Sequence, residues 1–487
     1  GEWLGMKSFA DLFMLVVQGY FLIFVALELG KASRLLPHLK LSPPALLVLS
    51  FGFITALGAT LLMMPEMSTT SGGLSAMDAF FTSVSAVCVT GLSTIDIATV
   101  LTFKGQTVLM ILIQLGGLNF ITFASIFALL ANPGVGTRYK SMLQSNYSVD
   151  SLESSVLLTG QIIRFSLLFE LISAILLFFS WGPRHFASFG DQVFHSLFHS
   201  VSAFNNAGFA LYTGGLADAA LGTNIPLGLV IAFTIIFGGL GFSPISEVFS
   251  AQSRSYRRSR PWIHYSVNTK IAVYAVLILV PFGTFAFFFL EQFSVLRGMS
   301  VGVQWYHSFF SSVTTRTAGF NTIDFGAVAL PTLLVVMMLM FIGGSSGSTA
   351  GGVKTSTFVL VFMNAMATIR GKKRVELFRQ TISVELLNLA LSAFLFSTSV
   401  IALGIFGLAI TDGHFGLARI AFEEVSAFCT VGLSTGITSQ FSDAGKIILM
   451  ISMLIGRVGT ITLAFALTSK RKDSQDYRYP NASVQVG

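Results

Sequence analysis

Four segments of the chain align with one another without a gap: FTSVSAVCVTGLST from Phe81, FHSVSAFNNAGFAL from Phe198, FFSSVTTRTAGFNT from Phe309 and FEEVSAFCTVGLST from Phe422. Each carries a Phe ten residues before a Gly, and these glycines, Gly91, Gly208, Gly319 and Gly432, stand 117, 111 and 113 residues apart. An apolar run of about twenty residues, long enough to cross a bilayer as a helix, lies on either side of each segment. Near-constant spacing of this kind marks one structural unit used repeatedly. The unit is span, short segment, span, made four times.

Composition sets the solvent. The chain is 53% hydrophobic and only 10% charged, with a mean hydropathy of +0.77, whereas a soluble domain carries about 25% charged residues. Apolar runs lie near 9–29, 44–64, 106–131, 157–181, 225–249, 268–291, 384–411 and 446–468, with an interrupted one at 331–369. The first precedes the four units. It lacks a small-residue cleavage site and runs into Lys31, Arg34 and Lys40, so it reads as a span and not as a signal peptide. Two cysteines, Cys88 and Cys429, exclude a disulfide framework.

A net charge of +7 raises the possibility of a nucleic-acid partner, and its distribution removes it. With connections assigned alternately to the two sides, one side (31–43, 133–155, 251–270, 370–379 and 469–487) holds 19 Lys and Arg and the other holds 6. That bias is the positive-inside pattern, and it puts the C-terminus in the cytoplasm. Charge here reports topology.

One stretch breaks the apolar pattern. GGSSGSTAGGVKTST, residues 343 to 357, divides the run 331–369. Gly347-x4-Gly352 misses the Walker A form by one residue, since Val353 precedes Lys354 and Thr355, and no strand precedes it. Without a cytoplasmic domain of any size the chain is no ATPase and no enzyme; nucleotide control has to come from a partner. The charge count makes 331–369 cross once, yet 39 residues of helix measure roughly 58 Å against a hydrocarbon core of about 30 Å. The polar centre is therefore a break at membrane depth, tolerated where it is buried in protein or lines a water-filled path.

The gap between paired spans is short, so each repeated segment dips into the membrane as a half-helix and returns extended. Its Gly permits backbone dihedrals that turn carbonyls toward an axis. Four such segments give rings of carbonyl oxygens that replace a cation's hydration shell, and four half-helix C-termini add partial negative charge. Asp96 and Asp324 hold equivalent places near the mouth in units one and three. A second mark follows each Gly by 25, 30, 24 and 24 residues: Gly116-Gly117, Gly238-Gly239, Gly343-Gly344 and Gly456-Arg457. The expected fold is an all-α membrane protein with four pseudo-symmetric span–pore-helix–span repeats around one pore and one extra N-terminal span. Its divisions are 1–43 (extra span and cytoplasmic linker), 44–132, 133–250, 251–370 with the intramembrane loop 343–352, 371–468, and a cytoplasmic tail 469–487.

At VTGL (89–92), NNAGFAL (205–211), RTAGFNTID (316–324), TVGL (430–433), the polar loop and IGRVG (455–459), the chain resembles the Ktr/Trk/HKT superfamily of potassium transporters. The resemblance covers roughly 44–468 and is nearest to the Ktr-type bacterial membrane subunit. It implies a selectivity filter made by Val89, Thr90, Gly91 and Leu92; Asn206, Ala207, Gly208 and Phe209; Thr317, Ala318, Gly319 and Phe320; and Thr430, Val431, Gly432 and Leu433. Potassium would bind at the four glycines. It also implies a gate of Gly343, Gly344, Ser345, Ser346, Gly347, Ser348, Thr349, Ala350, Gly351 and Gly352, with Lys354 and Arg457. Beyond the chain it implies a homodimer in the bacterial cytoplasmic membrane on a ring of nucleotide-binding regulatory subunits, and potassium uptake that is often sodium-dependent. No covalent cofactor is expected; potassium is the transported ion and sodium a second candidate. The Ktr type usually has eight spans, and 9–29 makes one more.

Rival functions are a sodium-preferring or poorly selective pathway on the same fold and an alternating-access carrier for an organic solute. Ser or Asp at a filter Gly would have favoured the former, and paired broken helices the latter. Among single residues, Arg457 is an intramembrane charge and functional by default. For Lys354 two readings stand: snorkelling toward the cytoplasm, or a part in the gate. Arg316, like Cys88, Asn205 and Cys429 at the same offset, is expected to face away from the axis and support the filter from behind. Phe81, Phe198, Phe309 and Phe422 should pack there too. His199 and His307 read as packed polar residues, and either Asn205 or Asn206 faces the pore. For Glu423 and Glu424 two readings stand: attraction of cations at the outer mouth, or capping of polar contacts on the half-helix.

Overall fold

The computed structural model describes residues 43–118, 152–182, 186, 188–218, 221–249 and 265–459. The expected span at 9–29, its linker and the tail 469–487 lie outside the described residues. The helices fall into four groups. The first is α1 (Pro43–Leu62), α2 (Ala76–Val87) and α3 (Phe103–Gly117). The second is α4 (Leu152–Ser180), α5 (Phe189–Phe204), α6 (Ile225–Leu240) and α7 (Phe242–Phe249). Third come α8 (Val267–Glu291), α9 (Val301–Thr314), α10 (Leu330–Phe341) and α11 (Thr355–Ile369), and fourth α12 (Val384–Asp412), α13 (Leu417–Phe428) and α14 (Asp443–Val458). A two-stranded hairpin, Glu376–Leu377 with Gln380–Thr381, links the last two groups.

Local chemistry starts the short helices where the spacing predicts them. Ser75 and Ser188 open α2 and α5 as Ser-x-x-Asp caps: their hydroxyls accept from the amides of Asp78 (3.1 Å) and Asp191 (3.2 Å), which satisfies amides a helix start leaves free. Among the described residues three helices are long and apolar enough to cross a membrane, Gly160–Ser180, Val267–Glu291 and Val384–Phe415. They turn large side chains outward: Phe179, Leu277, Phe289, Leu403 and Ile410 are all exposed, a surface suited to acyl chains and not to water.

The break expected inside 331–369 is present: α10 ends at Phe341, α11 starts at Thr355, and the two ends are joined by a bridge between Ile342 and Val353. A second break was not expected. The run 225–249 bends by 99° between α6 and α7. Gly241 takes φ 92° there, and the freed amide of Phe242 donates to Gly347 O (3.1 Å). The carboxylate of Glu247 then accepts from Ser266 N (2.7 Å) and from the Thr269 hydroxyl, which ties α7 to the start of α8.

Packing around the short helices closes on itself. Helix α3 packs on α5, α6 on α9, α10 on α13, and α14 returns to α2. Each short helix is thus held by its own group and by the outgoing helix of the group before. Phe81, Phe198 and Phe422 are fully buried on it, as expected. In α9 the fully buried ring is Phe310, and Phe309 is only partly buried. The gapless alignment misses this one-residue offset, whose cause lies at the end of the helix.

Candidate functional site

Each short helix stops four or five residues before its glycine and the backbone turns twice through left-handed conformations. The first turn is at Val89, Asn206, Thr317 and Thr430, with φ of 56°, 58°, 65° and 48°. The second is at Gly91, Gly208, Gly319 and Gly432, with φ of 96°, 71°, 77° and 91°. Left-handed Val and Thr are costly for β-branched residues and persist only where the surroundings over-determine them. Here the helix end does so. Thr90, Ala207 and Val431 donate their amides back to Ser85, Ser202 and Ser426 carbonyls at 2.7 to 2.8 Å. Ala318 instead donates to Thr314 O (3.0 Å), four residues back and not five. That tighter turn accounts for the offset of Phe310.

Side-chain hydroxyls add a brace that sequence reasoning missed. Ser85 and Ser426 accept from Gly91 N and Gly432 N, both at 3.1 Å. Ser202 donates to Phe209 O (2.8 Å), and Thr314 to Phe320 O (2.6 Å). The signal was available, since Ser85, Ser202 and Ser426 share one column of the repeat.

The four glycines meet. A Cβ on Gly91 would collide with Ala207 O and stand 3.2 Å from Gly208 Cα; one on Gly208 would stand 2.7 Å from Ala318 O and 2.8 Å from Gly319 Cα. On Gly319 it would reach Val431 O and Gly432 Cα (3.2 Å), and on Gly432 it would strike Thr90 O and stand 3.0 Å from Gly91 Cα. The order 91, 208, 319, 432 and back to 91 is a closed ring, in which the carbonyl before each glycine lies against the neighbouring glycine. A Cβ at any of the four would force the neighbouring backbone to move.

The paired-glycine mark has a packing cause. Gly116, Gly238 and Gly456 each lie against the C-terminal end of their group's short helix, at Val87, Phe204 and Phe428, with no room for a Cβ. In the third group that place is taken by the polar loop, and Gly343 packs on Gly351.

The loop bonds within its own group and to the second, packs on the fourth, and is linked to the first through Arg457. In its own, Gly343 N donates to Val353 O (2.9 Å), and Thr355 Oγ1 and Arg316 Nη2 both donate to Gly343 O (2.8 and 3.3 Å). Toward the second, Ser345 N donates to Gly239 O (3.1 Å) and Thr349 Oγ1 to Phe204 O and Gly238 O (both 3.1 Å). Toward the fourth, Gly351 is packed on Thr430 and Cys429. Arg457 bridges the rest: Nη1 donates to Thr349 O and Nη2 to Gly116 O (2.5 Å), so one guanidinium joins loop, first group and fourth group. Lys354 does not reach outward; its Nζ folds back to donate to Ala350 O (2.6 Å). Buried carbonyls offer that ammonium better company than apolar surface.

The family model of TrkH, described as cation transport protein, matches residues 42–476. The chain belongs to the TrkH family. It is a family of transporters and not of enzymes. The chain is 36% identical to Ktr system potassium uptake protein B of Bacillus subtilis, over 94% of this chain and 99% of that one. With Potassium/sodium uptake protein NtpJ of Enterococcus hirae it shares 34%, over 92% and 98%. The crystal structure of the potassium transporter TrkH from Vibrio parahaemolyticus superposes with a TM-score of 0.68 at 17% identity, covering 86% of this chain and 83% of that one. At that identity the likeness speaks to fold alone.

Several side chains of this TrkH-family chain lie where sequence reasoning left a choice. Arg316 is buried, and its Nη2 reaches Thr355 Oγ1 (3.3 Å) as well as Gly343 O, so it ties the third segment to both ends of the loop. Glu423 and Glu424 are fully buried. Glu423 accepts from Ser434, from Thr435 N and Oγ1, and from Thr438, at 2.8 to 3.1 Å, which favours the capping reading. Glu424 accepts from Ser452 (2.6 Å). Asp96 and Asp324 cap short turns through Ala98 N and Gly326 N, and His307 pairs with the Thr322 hydroxyl (3.0 Å). Cys88 and Cys429 are buried free thiols.

Proposed function

We propose that the chain takes up potassium across a bacterial cytoplasmic membrane through a single pore lined by four pseudo-symmetric units, 44–132, 133–250, 251–370 and 371–468. The backbone from Val89, Asn206, Thr317 and Thr430 to Leu92, Phe209, Phe320 and Leu433 is its selectivity filter, with potassium at the four glycines. The observation that carries this reading is the closed glycine ring with a backbone carbonyl against each glycine; oxygens of that kind can replace a cation's hydration shell. The names of the relatives, potassium uptake protein and potassium/sodium uptake protein, support the choice of ion.

The loop 343–352 acts as the gate. It is held by Arg457 and Arg316, and its withdrawal opens the path. Uptake depends on sodium, a cytoplasmic nucleotide-binding subunit regulates it, two copies of the chain assemble, and the C-terminus is cytoplasmic. A sodium-preferring pathway is the second reading, favoured by the name of the Enterococcus relative. Uptake by cells lacking their own potassium systems, with and without sodium and with a regulatory subunit supplied, tests both. Saturable potassium uptake that sodium accelerates is the expected result. Sodium entry without potassium entry would move the assignment to the second reading.

A further inference from the structure

We propose that Glu170 is a positioning residue for ion selection, fixing the second glycine segment through Asn205 and Gln114; the inference rests on reading Gly208 as part of a filter. Glu170 lies in α4 with 3% of its surface exposed. Gln114 Nε2 donates to both of its oxygens (3.0 and 3.2 Å), Ser166 Oγ donates at 3.1 Å and Asn205 Nδ2 at 3.2 Å. Asn205 Nδ2 also donates to Gln114 Oε1 (2.8 Å) and to Val201 O (2.9 Å). Three side chains from three helices therefore close a triangle. Its direction is fixed, because the Asn205 amide nitrogen faces only acceptors and the carboxylate faces only donors.

The triangle sits where it bears on the glycine ring. Asn205 ends α5 and is followed at once by Asn206, the left-handed residue that starts the turn to Gly208. Gly117 gives way for it: a Cβ there would stand 2.6 Å from Asn205 Cβ. Ser200 adds a bond from its hydroxyl to Glu170 O (2.5 Å). At the same offset the first and fourth segments have the buried free thiols Cys88 and Cys429, and the third has Arg316, held by the loop. Among the described residues, Asn205 is the one at this offset with a hydrogen bond to a carboxylate.

A buried carboxylate among neutral donors is an expensive way to fill space. Packing alone would be served by an apolar side chain, as at the two cysteines. What the carboxylate supplies is acceptor capacity for the donors of Gln114, Ser166 and Asn205, and hydrogen bonds in a buried site favour one geometry. Asn205, and through it the turn at Asn206, is thereby locked to α3 and α4.

The test uses the full chain in cell membranes and reads rubidium-over-sodium preference in competition, with folding followed by thermal stability in detergent. Glu170→Ala should lower the preference by about five- to tenfold, and Glu170→Gln, which sets an amide where donors converge, by an intermediate factor. The double variant Q114E/E170Q moves the carboxylate across the triangle and leaves every donor matched to an acceptor, so it should recover at least half of the loss. Gly208→Ser separates the two levels of the argument. A changed ratio in Gly208→Ser with wild-type ratios in both Glu170 variants overturns the inference and leaves the filter reading standing. Unchanged ratios in Gly208→Ser and Glu170→Ala together remove the filter reading and the inference with it. If Glu170→Ala does not fold, Glu170→Gln and its double variant decide: no shift in the first, or no recovery in the second, overturns the proposal.

Discussion

Excising residues 345–350 is expected to raise cation flux through the chain by at least about tenfold, and Arg457→Gln to raise it in the same direction. The loop is held by bonds to Phe204, Gly238 and Gly239 and by Arg457, whose Nη1 donates to Thr349 O. Hydrogen bonds to a charged group are worth about 1.5–3 kcal/mol each. Losing the Arg457 bond to the loop would therefore shift a closed-to-open balance by roughly ten- to a hundredfold, since each 1.4 kcal/mol is a factor of ten. Excision removes Thr349 as well and acts more strongly. Rubidium flux into vesicles, normalised to folded protein, is the readout. Flux that is unaltered or lower in both variants would mean that the loop is a structural tie and not an obstruction.

Gly91→Ser is expected to lower potassium-over-sodium preference by about tenfold or more, with transport itself retained in part. Two effects combine. A φ of 96° disfavours any L side chain, by roughly 1–2 kcal/mol for left-handed backbone. The new Cβ also stands 3.2 Å from Gly208 Cα and 3.3 Å from the Ala207 carbonyl carbon. The first two segments must move apart, and a carbonyl cage that has moved fits a given ion radius less closely. Competition between rubidium and sodium measures the ratio. An unchanged ratio in well-folded protein would take Gly91 out of the filter.

Much of this architecture was legible because spacing survives in sequence where contacts do not. Phe81 to Gly91 and its three counterparts located the short helices, and a run too long for one helix located the broken one at 343–352. The bend at Gly241 was hidden by an unbroken apolar run, because the amide it frees finds its acceptor at Gly347, more than a hundred residues on. The gapless alignment concealed the register of α9 for a related reason: a single hydrogen bond, Ala318 to Thr314, closes one residue earlier. Arg316 was read as a support, but its link to Thr355 depends on the loop's path, which no periodicity reports. Glu170 carried no repeat signal at all. Its meaning comes from Gln114 and Asn205, which are distant in sequence and adjacent only after folding.

The most direct measurement is ion flux by the purified chain alone in liposomes, with rubidium and sodium competing from the same side. Rubidium entry that exceeds sodium entry, and loses that preference in Gly91→Ser, is the result expected of a filter built by the glycine ring. Sodium and rubidium entering equally in both proteins would contradict it.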